Sequence, residues 1–418
     1  MNDLDQFRRE TRDWLTSNCP AGARGAGQIP WGSSKVALEP DVRLWLTRMA
    51  GKGWTVPTWP EEYGGAGLSR DEYLVLMDEL RRIDARTPLT GRGVNYIGPT
   101  ILEFGTDEQK ARWLPTCARG EGGWCMGYSE PGAGSDLANL SCKAELRGDH
   151  YIVNGRKLWT SDAVESDLIF ALVRTDPKAA KHEGISLMLI DMNQPGVAVR
   201  PIRLISGDSP FNETLFENAI ARKDDVIGPL NQGWTVGKRL LQFERSTHAG
   251  VNISGTQGRV ADDSLADIMR RYLNGPAVDA DLALAGVADA GVADTGVADA
   301  NKGRIADDAL RARLLNYEMN SRAHRLTQRR VMEELQARAP GFGSSVVKLA
   351  GALLTKERHE LHLSTLGLQG IGWDSPGFAA AELNATQTWL RQKSLTIAGG
   401  TAEVQLNIIA KRVLGLPD

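Results

Sequence analysis

The spacing of apolar residues changes twice along the chain, and this change limits the folds that the sequence can adopt. Up to about residue 120, apolar residues recur every three or four positions, as in DEYLVLMDELRRIDA (71–85), the period of an amphipathic helix. TDEQKARWLPTC (106–117) adds a capping threonine and acidic residues in its first turn. From 122 to about 228 the runs are short and β-branched, and from Gly233 the helical period returns. We therefore predict an α+β fold with a helical domain (1–121), a mostly antiparallel β domain (122–230) and a second helical domain (231–418).

Four segments carry the strand prediction. LIFALVRTD (168–176), GISLMLIDM (184–192) and GVAVRPIRLI (196–205) are rich in β-branched residues and bounded by Gly, Pro or Asp. HYIVNGRKLWTSD (150–162) consists of two β-prone runs on either side of Asn154-Gly155, a dipeptide that favours a tight two-residue turn. We therefore predict a hairpin at Asn154-Gly155.

The charge balance and the apolar content exclude several classes of partner. The 418 residues carry a net charge of -3, which gives no electrostatic reason to bind nucleic acid or an anionic membrane. No apolar run approaches the roughly 20 residues of a membrane span, and the charged start MNDLDQFRRETRDWL resembles no secretory signal. Cys19, Cys117, Cys125 and Cys142 form no CxxC pair, so we expect reduced thiols in a cytoplasmic protein, with no bound metal.

One segment has the composition of a disordered insertion. ALAGVADAGVADTGVADAN (283–301) repeats GVAD three times at a period of five residues and contains no aromatic residue. Without a helical or strand period, such a segment cannot bury enough surface to offset the entropy of ordering. We predict a disordered surface insertion over 276–302, with an interaction tag as the alternative.

Two segments of the β domain could bind a ligand. MGYSEPGAGSD (126–136) follows a strand-like run, and its glycines would let a ligand approach the backbone closely. KLWTSD (157–162) places an indole beside two hydroxyls, which could stack on a flat heterocycle and hydrogen-bond to it. The alternatives are a structural turn for the first segment and a half-buried tryptophan for the second.

The helix predicted over WTVGKRLLQFERSTHAGVNISG (234–255) carries a glutamate on its apolar face. Glu244 shares this face with Gly237, Leu240 and Leu241 by the three-four spacing. Because burial disfavours the charged form of a carboxyl group, Glu244 is a candidate general base. The alternative is a structural glutamate that pairs with His248 at i+4, or with Arg245 held by another helix.

The C-terminal stretch SLTIAGGTAEVQ (394–405) interrupts two apolar helical runs with Gly399 and Gly400. The Thr401 hydroxyl is placed to cap the helix that follows. A capped helix start can also hold a phosphate, and a plain turn is the alternative.

In this order, YSEPGAGSD, KLWTS, FER and AGGTAEVQ give a chain that resembles the acyl-CoA dehydrogenase family. The resemblance extends from GWTVPTWPEEYGG (53–65) to NIIAKRVLGLP (407–417). It implies a barrel-like middle domain, a C-terminal four-helix bundle, and FAD lying between the β domain and the C-terminal helices. The acyl-CoA thioester would lie between the flavin and a catalytic glutamate.

The resemblance also assigns residues to the cofactor and the substrate. Matching positions around the flavin ring are Met126, Tyr128, Ser129, Trp159 and Ser161, and the CoA arm matches Ser135. The FAD pyrophosphate and adenosine ends match Thr401 and Glu403. Arg271 matches a residue that the family often supplies from a neighbouring subunit, and the backbone around Gln369 and Gly370 matches a segment that lies against the neighbour's FAD. Two departures are Asn274, where an aromatic residue is expected, and Leu366, where a glutamine is expected.

The position of the base departs from many family members. A Y-E-G-T stretch would place the glutamate where this chain has Gly399, whose backbone N–H would still serve the thioester carbonyl. A smaller group, which includes isovaleryl- and long-chain-type enzymes, carries the base in an E-R pair on the first C-terminal helix. Glu244-Arg245 matches that pair, so we predict Glu244 as the base and Arg245 as a substrate-site residue.

The resemblance implies α,β-dehydrogenation of an acyl-CoA as in fatty acid β-oxidation, with electrons passed to an electron-transfer flavoprotein. It also implies a homodimer, a homotetramer or a complex with a homologous subunit. Two other functions stay open: a flavin monooxygenase or oxidase on the same fold, and a non-catalytic, FAD-sharing subunit of a heteromer.

Overall fold

The computed structural model describes residues 3–25, 27, 29–87, 89–248, 264–274, 305, 307–336 and 343–417. The chain divides into two compact units, one of Met1–Arg203 with Ser209–Val260 and one of Leu204–Asp208 with Ala261–Asp418. The insertion predicted over 276–302 lies outside the described residues. The three-domain division predicted from the sequence stays a prediction beside this two-unit division.

The first unit begins with helices that the sequence predicts well. They are α1 (Asp3–Asn18), α2 (Pro40–Gly51), α3 (Arg70–Arg82), α4 (Gly98–Phe104) and α5 (Asp107–Ala118). The predicted Thr106 cap is confirmed, because its hydroxyl accepts from the Gln109 N–H and the Gln109 side chain accepts from the Thr106 N–H.

A single sheet follows. Its strands are β1 (Trp124–Gly127), β2 (Lys143–Arg147), β3 (His150–Ser161), β4 (Leu168–Arg174), β5 (Ile185–Asp191), β6 (Val197–Ile202), β7 (Phe211–Arg222) and β8 (Val226–Ile227). Their order is β6-β7-β3-β2-β4-β5-β8, and β1 lies parallel to β4. The ladders are antiparallel except where β4 meets β1 and β2. The predicted helix–sheet–helix order and the mostly antiparallel sheet are confirmed.

The hairpin predicted at Asn154-Gly155 is wrong. Both residues lie inside the continuous strand β3, at a bulge where the register against β7 shifts. Gly155 has φ 144°, and a Cβ there would lie 2.7 Å from the Cα of Cys142, the residue just before β2. The glycine is needed for this close approach. The chain reverses direction at Gly148 (φ 65°) instead, so that Arg147 of β2 pairs with His150 of β3.

The core of the first unit joins helices and sheet. Phe170 and Leu172 of β4 pack in one buried cluster with Val236 and Leu240 of the helix α6 (Gly233–His248). A Cβ at Gly237 would lie 3.2 Å from the Leu172 side chain, so the small residue lets α6 lie close to β4. This contact fixes the helix that carries Glu244 against the sheet.

The second unit is helical. Its helices are α7 (Leu265–Asn274), α8 (Asp308–Gln336), α9 (Gly343–Leu366), α10 (Ala380–Gln392) and α11 (Ala402–Ile408). A small core contains Leu265, Met269, Leu314, Tyr317 and Leu361, from α7, α8 and α9.

Candidate active site

The loop after β1 is fixed beside β3. The Leu158 N–H donates to the Ser129 carbonyl oxygen at 2.8 Å. The Lys157 Nζ, fully buried, donates to Glu130 Oε1 at 2.7 Å and to the Tyr128 carbonyl oxygen at 3.3 Å. The structure therefore brings the predicted loop residues next to the strand that carries Trp159.

The Glu130–Lys157 pair was missed by sequence reasoning. Glu130 also accepts from the backbone N–H groups of Ser141 and Cys142, at 2.7 and 3.0 Å. Burial alone would raise the pKa of Glu130, but the Lys157 ammonium and these hydrogen bonds outweigh it and hold that pKa below its ordinary value. The two residues share neither a helical nor a hairpin spacing, so no local pattern in the sequence reveals the pair.

Trp159 has the geometry of an exposed platform. It lies at an irregularity of β3, its φ is 60°, and 53% of its surface is exposed. The Phe211 ring supports it edge-on, with ring centroids 6.0 Å apart. A bulky residue with positive φ is strained, and such strain concentrates at functional sites.

Two hydroxyl residues are near Trp159 in the sheet: Ser161 lies two residues further along β3, and the Ser129 carbonyl oxygen accepts from the N–H of the adjacent Leu158. Ser129 and Ser161 are half-buried, and neither hydroxyl hydrogen-bonds to another residue in the described part of the chain. After Ser161 the chain turns at Asp162 (φ 59°), which forms an ion pair with Arg92. A stacking face with hydrogen-bonding groups at its edges suits a planar heterocycle, so these residues fit the flavin ring of FAD.

Met126 and Tyr128 differ in their surroundings. Met126 is half-buried on β1, whereas the Tyr128 ring is buried in the core beside Gly237. The Tyr128 hydroxyl has no hydrogen-bond partner among the described residues. Burial, and next the nearby Glu244 carboxylate, raise the pKa of Tyr128 well above its ordinary value. A contact between Tyr128 and a cofactor would therefore come from its backbone.

Glu244 lies on the buried face of α6, as the three-four spacing predicts. Its exposed fraction is 8%, and the same face buries Val236, Gly237 and Leu240. The buried phenol of Tyr96 also lies near it: burial, followed by the Glu244 charge, raises the pKa of Tyr96. The side chains of Arg245 and His248 lie outside the described residues, and so do the pairings predicted for them.

Ser135, predicted to contact the CoA arm, lies at the exposed end of the same loop. The next residue, Asp136, forms an ion pair with Lys181 at 2.6 Å. The exposed Ser135 hydroxyl is accessible to a ligand from solvent.

The second unit holds the C-terminal glycine turn. Gly399 and Gly400 have φ of 65° and 94°, and the Thr401 hydroxyl accepts from the Val404 N–H at 3.2 Å, which confirms the predicted helix cap. Glu403 is exposed, and a hydrogen bond from its own backbone N–H, followed by one from Thr401, holds the pKa of Glu403 below its ordinary value. A charged carboxylate suits ribose hydroxyls better than a pyrophosphate.

Three further predicted residues lie elsewhere in this unit. Gln369 and Gly370 follow α9 in a short turn, and the Gly370 carbonyl oxygen accepts from the Thr386 hydroxyl at 3.0 Å. Leu366, at the position where glutamine was expected, is buried. Arg271 lies on α7, and its side chain is outside the described residues.

Other features limit the chemistry. The four cysteines are buried and free. In the described ranges no group of three or more His, Cys, Asp or Glu side chains could hold a metal ion. No helix in the part of the chain that the structure covers has the length and apolar character needed to cross a membrane. An open cleft of about 550 Å³ beside Arg86 and Asp41 contains none of the predicted site residues.

Comparisons with known proteins agree along the chain. Three family models match: the acyl-CoA dehydrogenase N-terminal domain over 2–121, the middle domain over 125–219 and the C-terminal domain over 283–414. The chain is 36% identical to acyl-CoA dehydrogenase IpdE1 of Mycobacterium tuberculosis, over 100% of this chain and 99% of that protein. Acyl-CoA dehydrogenase FadE34 of the same organism is 35% identical over 93% of this chain and 48% of that protein.

Two solved assemblies are similar in structure. The Tcur3481-Tcur3483 steroid ACAD has a TM-score of 0.68 and 27% identity, covering 99% of this chain and 97% of that chain. The ChsE4-ChsE5 complex from Mycobacterium tuberculosis has a TM-score of 0.68 and 27% identity, covering 100% and 98%.

Proposed function

The chain belongs to the acyl-CoA dehydrogenase family, and from this premise we propose that it converts an acyl-CoA thioester to the trans-2-enoyl-CoA. Family membership makes it an FAD-dependent oxidoreductase that acts on acyl-CoA. The proposed electron acceptor is an electron-transfer flavoprotein. The fold predicted from the resemblance is confirmed by the family models and by the similar structures.

The burial of Glu244 on α6 carries the proposal. The α-hydrogen of a thioester is a weak acid, so a carboxylate with little water around it is needed to remove it. Glu244 is the carboxylate that the first unit holds on the buried face of α6, close to the phenols of Tyr96 and Tyr128. In the proposed reaction Glu244 takes the α-proton and holds it.

The residues that would hold FAD are proposed from the local geometry of each unit. When bound, FAD supplies the hydride acceptor that protein side chains lack. In the first unit the flavin ring would be held by Met126, the Tyr128 backbone, Ser129, Trp159 and Ser161. In the second unit Thr401 and Glu403 would hold the pyrophosphate and adenosine ends of the cofactor. Arg271 and the backbone of Gln369 and Gly370 would contact the FAD of a neighbouring subunit.

The substrate residues are Ser135, Arg245 and Gly399. The Gly399 N–H makes no hydrogen bond to any residue that the structure describes, so it can donate to a thioester carbonyl oxygen. A donor that strengthens as negative charge develops on this oxygen lowers the barrier to proton removal.

The test is anaerobic reduction of the flavin by acyl-CoA in the Glu244→Gln variant. This variant should keep its yellow flavin. The rate at which acyl-CoA bleaches the flavin should fall by a factor of roughly 10² to 10⁴, the contribution of one general base. The control is Glu103→Gln. It removes an exposed carboxylate of α4 that pairs at 2.8 Å with Arg239, a residue of the helix α6 that carries Glu244. Near-normal bleaching in Glu244→Gln would refute the assignment of the base.

The acyl group and the assembly belong to the same proposal. Because two similar structures are two-chain assemblies and one is titled a steroid ACAD, the substrate panel should include steroidal, branched, short and long thioesters. A chain that purifies without flavin and gains it when co-expressed with a homologous subunit would favour a heteromer over a homodimer or homotetramer. Rapid peroxide formation under air would favour the oxidase alternative. We also place the protein in the cytoplasm, a reducing compartment in which four free, buried cysteines are usual.

A further inference from the structure

Two side chains hold the carbonyl oxygens of the C-terminal glycine turn. Lys348 of α9 donates from Nζ to the carbonyl oxygens of Gly400, at 2.5 Å, and Leu395, at 3.2 Å. Gln405 of α11 donates from Nε2 to the Gly399 carbonyl oxygen at 3.2 Å. We call Lys348 and Gln405 the turn clamp.

The clamp explains why the two glycines differ. Gln405 is fully buried, and a Cβ at Gly400 would lie 2.6 Å from its Nε2, so a side chain at this position would have to displace the amide from its hydrogen bond. At Gly399 the nearest atom to an added Cβ is the Lys348 Cε, at 3.9 Å. Gly399 therefore borders open space, whereas Gly400 is packed against the clamp.

The clamp also fixes the peptide unit that carries the Gly399 N–H, which makes no hydrogen bond to the described residues. The Ala398 N–H donates to the Ser394 carbonyl oxygen at 2.9 Å, which orients the peptide before it. Gln405 orients the peptide that follows, through the Gly399 carbonyl oxygen. Because peptide units are planar, fixing both neighbours leaves the Gly399 N–H in one direction.

We propose that Lys348 and Gln405 are positioning residues for the reaction: they hold the Gly399 N–H in place to polarise the thioester carbonyl. This inference rests on the proposed function. The Lys348 ammonium has a second effect, because a fixed positive charge behind the turn favours negative charge that develops on a bound carbonyl oxygen. A small displacement of such a donor costs up to roughly 10²-fold in rate.

The experiment compares two ligands that differ only at the carbonyl. In the Glu244→Gln background, where the thioester is not consumed, one ligand is a saturated acyl-CoA that reduces the flavin of the unaltered protein. The other is the S-alkyl-CoA thioether of the same chain length, in which CH₂ replaces the carbonyl. Binding of each is titrated by the change in visible flavin absorption in Lys348→Met, Lys348→Arg and Gln405→Leu.

The clamp variants Lys348→Met and Gln405→Leu should weaken thioester binding about threefold to tenfold, the value of one hydrogen bond, and leave thioether binding unchanged. Lys348→Arg keeps a cationic donor and should recover most of the thioester affinity. The control is Lys356→Met on the same helix, which should change neither ligand. With Glu244 present, Lys348→Met should lower kcat about 10- to 100-fold, and KM should rise by no more than the threefold to tenfold loss of thioester binding.

Three results would overturn the inference. The first is that the clamp variants bind the thioester and the thioether equally more weakly. The second is that they bind both ligands as tightly as before. The third is that Lys348→Met loses bound FAD and Lys348→Arg does not restore it. Each would assign the clamp to stability alone. A failure of the proposed function is distinguishable, because the unaltered protein would then show no bleaching by any thioester. A failure of the clamp leaves that bleaching, and its loss in Glu244→Gln, intact.

Discussion

Replacing Lys157 with methionine should destabilise the first unit strongly and in a pH-dependent way. The Lys157 Nζ has three acceptors, Glu130 Oε1 at 2.7 Å, the Leu172 carbonyl oxygen at 2.6 Å and the Tyr128 carbonyl oxygen at 3.3 Å. Methionine fills a similar volume but donates no hydrogen bond. The variant therefore leaves a buried carboxylate without its cation and two carbonyl oxygens without their donor.

The size of the loss follows from the burial of the pair. The side chains of Lys157 and Glu130 are 0% and 4% exposed, so water cannot replace the missing ammonium. Removing one partner of a buried ion pair costs about 3–5 kcal/mol. At about 2 °C per kcal/mol for a unit of this size, the midpoint of thermal unfolding should fall by roughly 6–10 °C. The exposed pair Lys181–Asp136 gives the matched control, since Lys181→Met should cost less than about 1 kcal/mol.

The pH dependence separates the lost charge pair from a simple packing defect. In the unaltered protein the pKa of Glu130 lies below its ordinary value of 4.5, so the contribution of the pair is complete above that value and is lost at lower pH. In Lys157→Met burial dominates, and the pKa of Glu130 should rise. Protonation of Glu130 then relieves the penalty as pH falls. The difference in unfolding midpoint between the variant and the unaltered protein should therefore narrow from pH 8 to pH 5.5.

The assay is thermal unfolding of the flavin-loaded protein at both pH values, together with the double variant Glu130→Gln/Lys157→Met. Because the double variant removes both charges, it should lose less unfolding free energy than the two single variants lose together. The difference, the coupling energy of the pair, should be about 1–3 kcal/mol. An equal gap at both pH values, together with additive losses, would refute the electrostatic account of this pair.

Two further predictions concern the stability of the first unit. Glu79 is buried and accepts from three arginine side chains, the hydrogen bond from Arg12 being the largest cause that lowers the pKa of Glu79 to about 2. Its contribution is therefore complete above pH 4.5 and lost as pH falls towards 2, so Glu79→Gln should lower the unfolding midpoint more at pH 7 than at pH 3, and the opposite order would contradict this account. Gly155→Ala combines φ of 144° with a contact of 2.7 Å to Cys142, so it should destabilise clearly more than Gly148→Ala, where φ is 65° and no atom lies within 4 Å. Urea midpoints measure this pair of variants, and equal losses would show that the approach of β2 to β3 is not tight.

The sequence predicts elements well where one local period dominates. The runs that become β4, β5 and β6 are short and bounded by Gly, Pro or Asp, and each forms a strand. In α6 the three-four spacing places Glu244 on the buried face, because helix geometry alone decides which residues share a face.

The sequence fails where distant chain segments decide the local conformation. Asn154-Gly155 favours a tight turn by itself. In the structure Gly155 is needed instead because Cys142 lies too close to it to leave room for a Cβ. The sequence does not reveal the buried pair of Glu130 and Lys157 either, because three of its four backbone partners, Ser141, Cys142 and Leu172, come from more distant segments of the sheet domain.

The glycine turn shows most clearly what the structure adds to the sequence. By sequence alone, Gly399 and Gly400 are two equivalent breaks in a helical run. The structure separates them, since a Cβ at Gly400 would lie 2.6 Å from Gln405 Nε2 and displace that amide, whereas an added Cβ at Gly399 meets the Lys348 Cε at 3.9 Å. Glycine at 399 is therefore not required by packing, although its φ of 65° favours it. Under the proposed function the turn contributes a backbone N–H, which any residue except proline would also provide at 399, and the carboxylate comes from α6. Because the N–H and the carboxylate come from different segments in this proposal, the turn can lack a glutamate and still donate its N–H to the thioester.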